Sequence, residues 1–224
     1  MSKLLLVEAK LHLRDGWYLL FAIGLPLLLL QFLGKVAGPA FPALMVMLSA
    51  LTLSFSVLPG VLAAYREQGV LRRMSTTPVS PLRMLTVQLV INLVVGIVAT
   101  TLLVAFGPGV PRNVTGFVLV FLLGSAALMA MGLVIAAVAP NGKSAPIIGS
   151  AAMFPLMFVA GMWVPREYLP EVVRVIGDYS VAGPFAQALS ATWAGQAPQL
   201  PHLLVLAAGL VVFGGLAVRV FRWE

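Results

Sequence analysis

Cysteine is missing from this sequence, and histidine occurs only as His12 and His202. The first absence excludes disulfides and thiolate metal sites. The second, with no HExxH spacing, excludes the usual zinc-hydrolase helix. Charge is also scarce: 9% of the 224 residues are Asp, Glu, Lys or Arg, against about a quarter in a soluble domain. Acidic residues are the rarer sign, seven against fourteen basic ones. What fills the chain instead is apolar, 61% of residues with a mean hydropathy of +1.05. Surface of that kind aggregates in water, so lipid is the solvent that fits. The net charge of +7 raises nucleic acid as a partner, but in a membrane chain the placement of charge matters more than its sum, and no nucleic acid is expected.

A helix crosses a bilayer with about twenty apolar residues. Six stretches qualify: 17–33, 41–64, 84–106, 114–139, 144–164 and 203–218, and none contains Asp, Glu, Lys, Arg or His. Gly34, Lys35, Gly38 and Pro39 separate the first two; Gly107-Pro108-Gly109-Val110-Pro111 separates the third from the fourth. Pro140-Asn141-Gly142-Lys143 is a tight turn before the fifth. The expected fold is therefore an all-α membrane protein of six transmembrane helices, a single membrane domain over residues 1–224. Short apolar runs broken by Glu8, Lys10 and Arg14 do not make a cleavable signal peptide. With the N-terminus inside, the inner segments hold ten lysines and arginines and the outer ones only Lys35, Arg112, Arg166 and Arg174. The positive-inside rule then puts both ends in the cytoplasm.

Three segments read as interfacial. Residues 1–15 mix Leu4, Leu5, Val7, Leu11 and Leu13 with charges, as a surface helix does. The inner loop 65–82 can carry a short helix through Arg73, stopped by Pro78, with Ser80 and Pro81 as N-cap and first residue of the next helix. On the outer side Leu169, Val172, Val173 and Ile176 form an apolar stripe, and a second short outer helix begins at Pro184 with Phe185, Leu189 and Trp193. Enzyme motifs do not hold up. Gly142-Lys143-Ser144 mimics the tail of a phosphate loop, but Ala137 stands where its earlier glycine belongs. Asn113-Val114-Thr115 is a formal glycosylation sequon too close to a span to serve as one. Without an ionisable group inside the spans there is nothing to bind a coupling proton. Carbonyls freed at Pro26, Pro59 and Pro155 leave sodium coupling open, and the simpler expectation is an energy source outside the membrane, through a docked partner. The basic loop 65–82 is the surface for it, or else merely enforces topology and touches anionic lipid.

That loop resembles the first cytoplasmic loop of the type-2 ABC transporter permease family, with its R-E-x-G-x-L-x-x-x-x-x-T-P-V-x-P pattern. Arg66, Glu67, Gly69, Leu71, Thr77, Pro78, Val79 and Pro81 match it. Leu13-Arg14-Asp15 before a span with Pro26 is similar to the family's start, and Gly161-Met162-Trp163-Val164-Pro165 with Leu169-Pro170 to its outer re-entrant hairpin between spans five and six. An arginine often found after the second proline is absent from residues 185–193, which bears on the substrate class.

The resemblance implies the permease half of a bacterial inner-membrane ABC exporter. The chain itself would carry no cofactor and no ATPase activity. Two copies of a cytoplasmic ABC ATPase subunit, binding ATP and Mg2+, would drive it, and a second, identical permease chain would complete it. Arg66, Glu67, Gly69, Leu71, Arg72 and Arg73 would form the docking surface of a cytoplasmic coupling helix, with Gly69 allowing close approach. The substrate path would be lined by the second and fifth spans: Ser49, Thr52 and Ser56, with Met153, Phe154, Met157 and Phe158. Methionines beside aromatics suit varied apolar ligands, so a drug or other amphipathic small molecule is the expected cargo. The same hydroxyls can instead bond their own helix backbone, and the Met and Phe can simply pack or face lipid. Export of a glycan or lipid-linked glycan, an ATP-independent carrier or channel, and a membrane anchor for a partner are the alternatives. Pro59 removes the donor for the Phe55 carbonyl, which predicts a kink there.

Overall fold

The computed structural model describes residues 16–69 and 81–220, and every regular element among them is helical. The expected surface helix at 1–15, Leu71, Arg72 and Arg73 of the loop helix, and the Ser80 cap lie outside the described residues. We number the helices α1 (16–33), α2 (Phe41–Glu67), α3 (Pro81–Phe106), α4 (Val114–Val138), α5 (Ser144–Val159), α6 (Glu171–Tyr179), α7 (Ala182–Trp193) and α8 (Leu200–Val220). Four of them, α2, α3, α4 and α8, are long and apolar enough to cross a membrane, and two apolar helices, Leu20–Leu33 and Ser144–Val159, are shorter.

Helix ends explain most departures from the hydropathy reading. The second span does not stop at residue 64: α2 runs unbroken through Glu67, so Arg66 and Glu67 belong to its last turn and not to a separate loop helix. It ends where Gly69 takes φ +66 and donates to the Arg66 carbonyl, the left-handed exit that glycine makes cheaply. Among the described residues no atom would lie within 4 Å of a side chain at Gly69, and the role seen for it is the turn. The fifth span is shorter than expected because Gly161 (φ +80) closes α5. Gly161 and Met162 donate to the Phe158 and Met157 carbonyls, the paired bonds of a Schellman end.

In lipid, apolar surface alone does not hold helices together; close backbone packing through small residues does. Helix α2 is the central one, with 78% of its most apolar stretch buried against 17% for α8, which lies along α4. The predicted second short helix starts at Ala182, two residues before Pro184, and its Phe185, Leu189 and Trp193 are buried in the main core. Trp193 meets Phe117 edge-on at 5.7 Å between ring centroids, and the Phe185 ring fills the space left by Gly124. Helix α7 therefore runs antiparallel to α4 and reaches ten residues into it, about 15 Å at 1.5 Å per residue. On α6, Leu169 just before the helix is buried, while Val172 and Ile176 of the predicted stripe point away from the protein.

Both α1 and α2 contain a π turn, at Leu20–Gly24 and Leu53–Val57, and each is followed two residues later by proline, Pro26 and Pro59. Pro59 has no N–H, so Phe55 loses its ordinary donor, and Leu58 donates back to Leu53 one residue further than in an α-helix. The Ser54 carbonyl is then left without a helical donor as well. Both released carbonyls face glycines. A Cβ on Gly132 of α4 would lie 1.9 Å from the Ser54 oxygen, and one on Gly149 of α5 would lie 1.6 Å from the Phe55 oxygen. Only glycine lets α4 and α5 come this near. The two π turns also pack on each other, Ala22 against Leu53 and Val57. The kink expected at Pro59 is thus a π turn.

Candidate functional site

Two regions gather the residues singled out from the sequence. The first is a groove of about 630 Å3 between α1, α2 and α5. From α2 it takes Leu48, Thr52 and Ser56; from α5 Pro146, Ser150, Met153, Phe154 and Met157; from α1 Tyr18, Phe21, Leu25 and Leu29; and Trp163 from the turn beyond α5. Five of the seven expected path residues therefore share one wall. Ser49 and Phe158 do not line it: Ser49 is buried at 1% exposure, while Phe158 is exposed elsewhere.

Helical spacing explains the split. Thr52 and Ser56 are four apart across the π turn, whereas Ser49 sits toward the core side. The Thr52 hydroxyl donates to the Leu48 carbonyl at 2.9 Å, so one of the hydroxyls is engaged by its own backbone. The groove wall is mainly aliphatic, aromatic and thioether, with hydroxyls only at Tyr18, Thr52, Ser56 and Ser150. Sequence reasoning missed the α1 wall and Trp163. No motif marks Tyr18 or Phe21, while Trp163 stood in a recognised segment and is turned toward the groove side by the Gly161 exit.

The second region is the end of α2. The Arg66 guanidinium donates to the Ala136 and Ala137 carbonyls at 3.1 and 3.0 Å and also to Ala139. These belong to the last turn of α4, whose carbonyls have no intrahelical donor and whose dipole favours a cation. Next to it, Glu67 accepts the Gly142 N–H at 3.0 Å. The turn between α4 and α5 is itself closed by Asn141, whose side-chain oxygen accepts the N–H groups of Lys143 and Ser144. Gly142 lies directly on Ala64, where a Cβ would come within 2.7 Å of the Ala64 methyl. The phosphate-loop mimic is therefore a packed turn and a helix cap. Arg66 and Glu67 together tie the end of α2 to the α4–α5 connection, and of the other expected docking residues only Gly69 lies among the described residues.

At the opposite end, Arg166 donates to Asp178 at 2.5 Å and Gln187 donates to its other oxygen at 3.0 Å. The Arg166 guanidinium holds the Asp178 carboxyl below the ordinary aspartate range, against the opposing effect of burial, and Gln187 adds to the lowering. This joins the 3-10 turn Arg166–Tyr168 to α6 and α7. Asn113, the sequon residue, is a helix cap: its oxygen accepts from Gly116 and its amide donates to the Gln196 carbonyl, each at 3.0 Å. Among the described residues no group of three or more His, Cys, Asp or Glu could hold a metal ion.

A family model described as ABC-2 type transporter matches residues 3–193. No curated protein and no solved structure matches the chain.

Proposed function

Since the chain belongs to the ABC-2 type transporter family, and so is the permease component of an ABC transporter, we propose that it serves an ATP-driven exporter of drugs or other amphipathic small molecules. The observation that carries the cargo reading is the groove wall. Met153, Met157, Phe154, Phe21 and Trp163 with a few hydroxyls form a soft, polarizable surface that accepts differing apolar shapes. A glycan would call for a wall rich in paired polar groups.

In this reading α1 and α5 cross the membrane with the other four, both termini are cytoplasmic in a bacterial inner membrane, and α6 with α7 forms a hairpin that re-enters from outside. Two copies of the chain enclose the path. Two ATPase subunits binding ATP and Mg2+ dock at Arg66, Glu67, Gly69, Leu71, Arg72 and Arg73. Their push reaches α2, and through the Arg66 and Glu67 ties it reaches α4 and α5 as well.

The test is co-reconstitution of the chain with its ATPase subunit in lipid vesicles. Amphipathic cations should stimulate ATP hydrolysis and accumulate, and Met157→Arg should abolish the stimulation while leaving basal hydrolysis in place. In the same assay Glu67→Gln, which keeps an acceptor for Gly142 but removes the charge, should uncouple hydrolysis from transport. Stimulation by glycans and not by amphiphiles would overturn the cargo reading, and transport without the ATPase would overturn the whole assignment.

A further inference from the structure

A second cavity, of about 740 Å3, opens at the end of the molecule opposite Arg66. We infer that it is a binding site for a phosphate ester, held by Lys35 and Arg112. Its wall comes from the α1–α2 connection, the α3–α4 connection and the end of α7, and it includes Ser190 and Trp193. Among the described residues Lys35 and Arg112 are the charged ones there, and no Asp or Glu lines it. Arg66 and Arg166 use their guanidinium groups on protein partners. Lys35 and Arg112 make no side-chain hydrogen bond or ion pair among the described residues. Two uncompensated cations on one concave wall attract an anion and suit phosphate, which an arginine fork meets in two places.

Both cations stand on backbone that is already fixed. Arg112 and Asn113 donate their N–H groups to the Trp193 and Thr192 carbonyls at 3.3 and 3.1 Å. On the other side, Val36 and Ala37 both donate to the Leu33 carbonyl, which sets the turn that carries Lys35. Ala40 and Pro42 bring the start of the 27-residue α2 to the same wall, and its partial positive charge has the same sign. The volume lies in the range of small-molecule sites and far exceeds a bare anion, so the phosphate carries a substituent of glycerol or sugar size. Val110 of the lining, and Phe32, Val36 and Phe106, each within two residues in sequence of a lining residue, are all more than half exposed. That apolar rim suits acyl chains and favours a lipid headgroup over a soluble phosphoester. Which leaflet supplies the lipid rests on the orientation proposed above; binding itself does not.

The experiment is a titration of the purified 224-residue chain in detergent, read by thermal shift and by tryptophan fluorescence. The probes are short-chain phosphatidylglycerol, diacylglycerol of the same chains, and glycerol phosphate. Phosphatidylglycerol should stabilise the protein and diacylglycerol should not. The double variant Lys35→Gln/Arg112→Gln should weaken binding at least about tenfold, as expected for losing charge-assisted bonds. Arg174→Gln, an outer-side cation away from the cavity, should leave it unchanged. Binding of glycerol phosphate as tight as that of the lipid would still support the site and assign a soluble ligand. Equal binding by the double variant, with an unliganded melting temperature like that of the parent, or equal binding of diacylglycerol, would overturn the proposal.

Discussion

Arg66 meets three carbonyls at the end of α4, and a single side chain therefore completes a helix end that its own sequence leaves open. Val138 is followed by Ala139 and Pro140, none of which can supply a capping donor from a side chain. Arg66→Ala should cost about 2 kcal/mol, the order expected when charged donors to buried carbonyls are removed. Arg66→Lys should recover less than half of it, because an ammonium cannot reproduce the planar fork. Chemical or thermal unfolding in detergent checks both, and a lysine variant as stable as the parent would remove the fork argument. The motif that carries Arg66 and Glu67 was legible in the sequence as a docking pattern. Their bonds to α4 and to the Gly142 turn were not, because a partner about seventy residues away leaves no local periodicity to read.

At the scale of the helices, hydropathy marks all six apolar segments, since each is a continuous run without charge. It misses how they end and bend. The Gly161 exit shortens the fifth, the second runs past its apolar part to Glu67 before Gly69 ends it, and α7 is buried in the core. Hydropathy averages over a window, while these features depend on one glycine or on a neighbour's cleft. Pro59 did announce a disturbance, but a π turn and a kink have the same sequence cue. The glycines opposite it have no such cue, because Gly132 and Gly149 act on carbonyls of another helix. Gly149→Ala should be strongly destabilising, at or above the upper end of the ~1–3 kcal/mol seen for overpacking, since its Cβ would meet a backbone oxygen at 1.6 Å that cannot rotate away. Gly16→Ala, with nothing among the described residues within 4 Å, is the control and should be neutral or slightly stabilising. Melting temperatures of the two variants decide the matter, and a tolerated Gly149→Ala would mean that the helices separate freely.

For the molecule as a whole, ties at both ends brace a bundle whose middle is held by close helix contacts. At the end opposite Arg66, Asp178 joins the 3-10 turn, α6 and α7. Its pKa is lowered in the folded state, so the tie stabilises above the ordinary aspartate pKa and is lost as pH falls through and below it. The two side chains are 37% and 40% exposed, and solvent screening limits the gain to about 1 kcal/mol or less. Asp178→Asn should therefore be slightly less stable than the parent at neutral pH, with the gap closing below about pH 4. Melting curves over that range measure it, and a gap that persists in acid would assign the loss to packing.

The π turn in α2 has a consequence for comparing this chain with its relatives. A residue in an α-helix advances about 100° around the axis, and a π turn accommodates one residue more than the regular winding would. The half of α2 that lines the groove and the half that ends in Arg66 are thus offset in phase by one step. The same residues wound as a regular α-helix through Leu53–Val57 would leave Thr52 on the groove wall but swing Arg66 off the α4 carbonyls by more than a quarter of a turn. Two chains of this kind can agree in every apolar position of the second span and still differ in which face the Arg66 end presents, so that helix has to be aligned as two segments on either side of the turn.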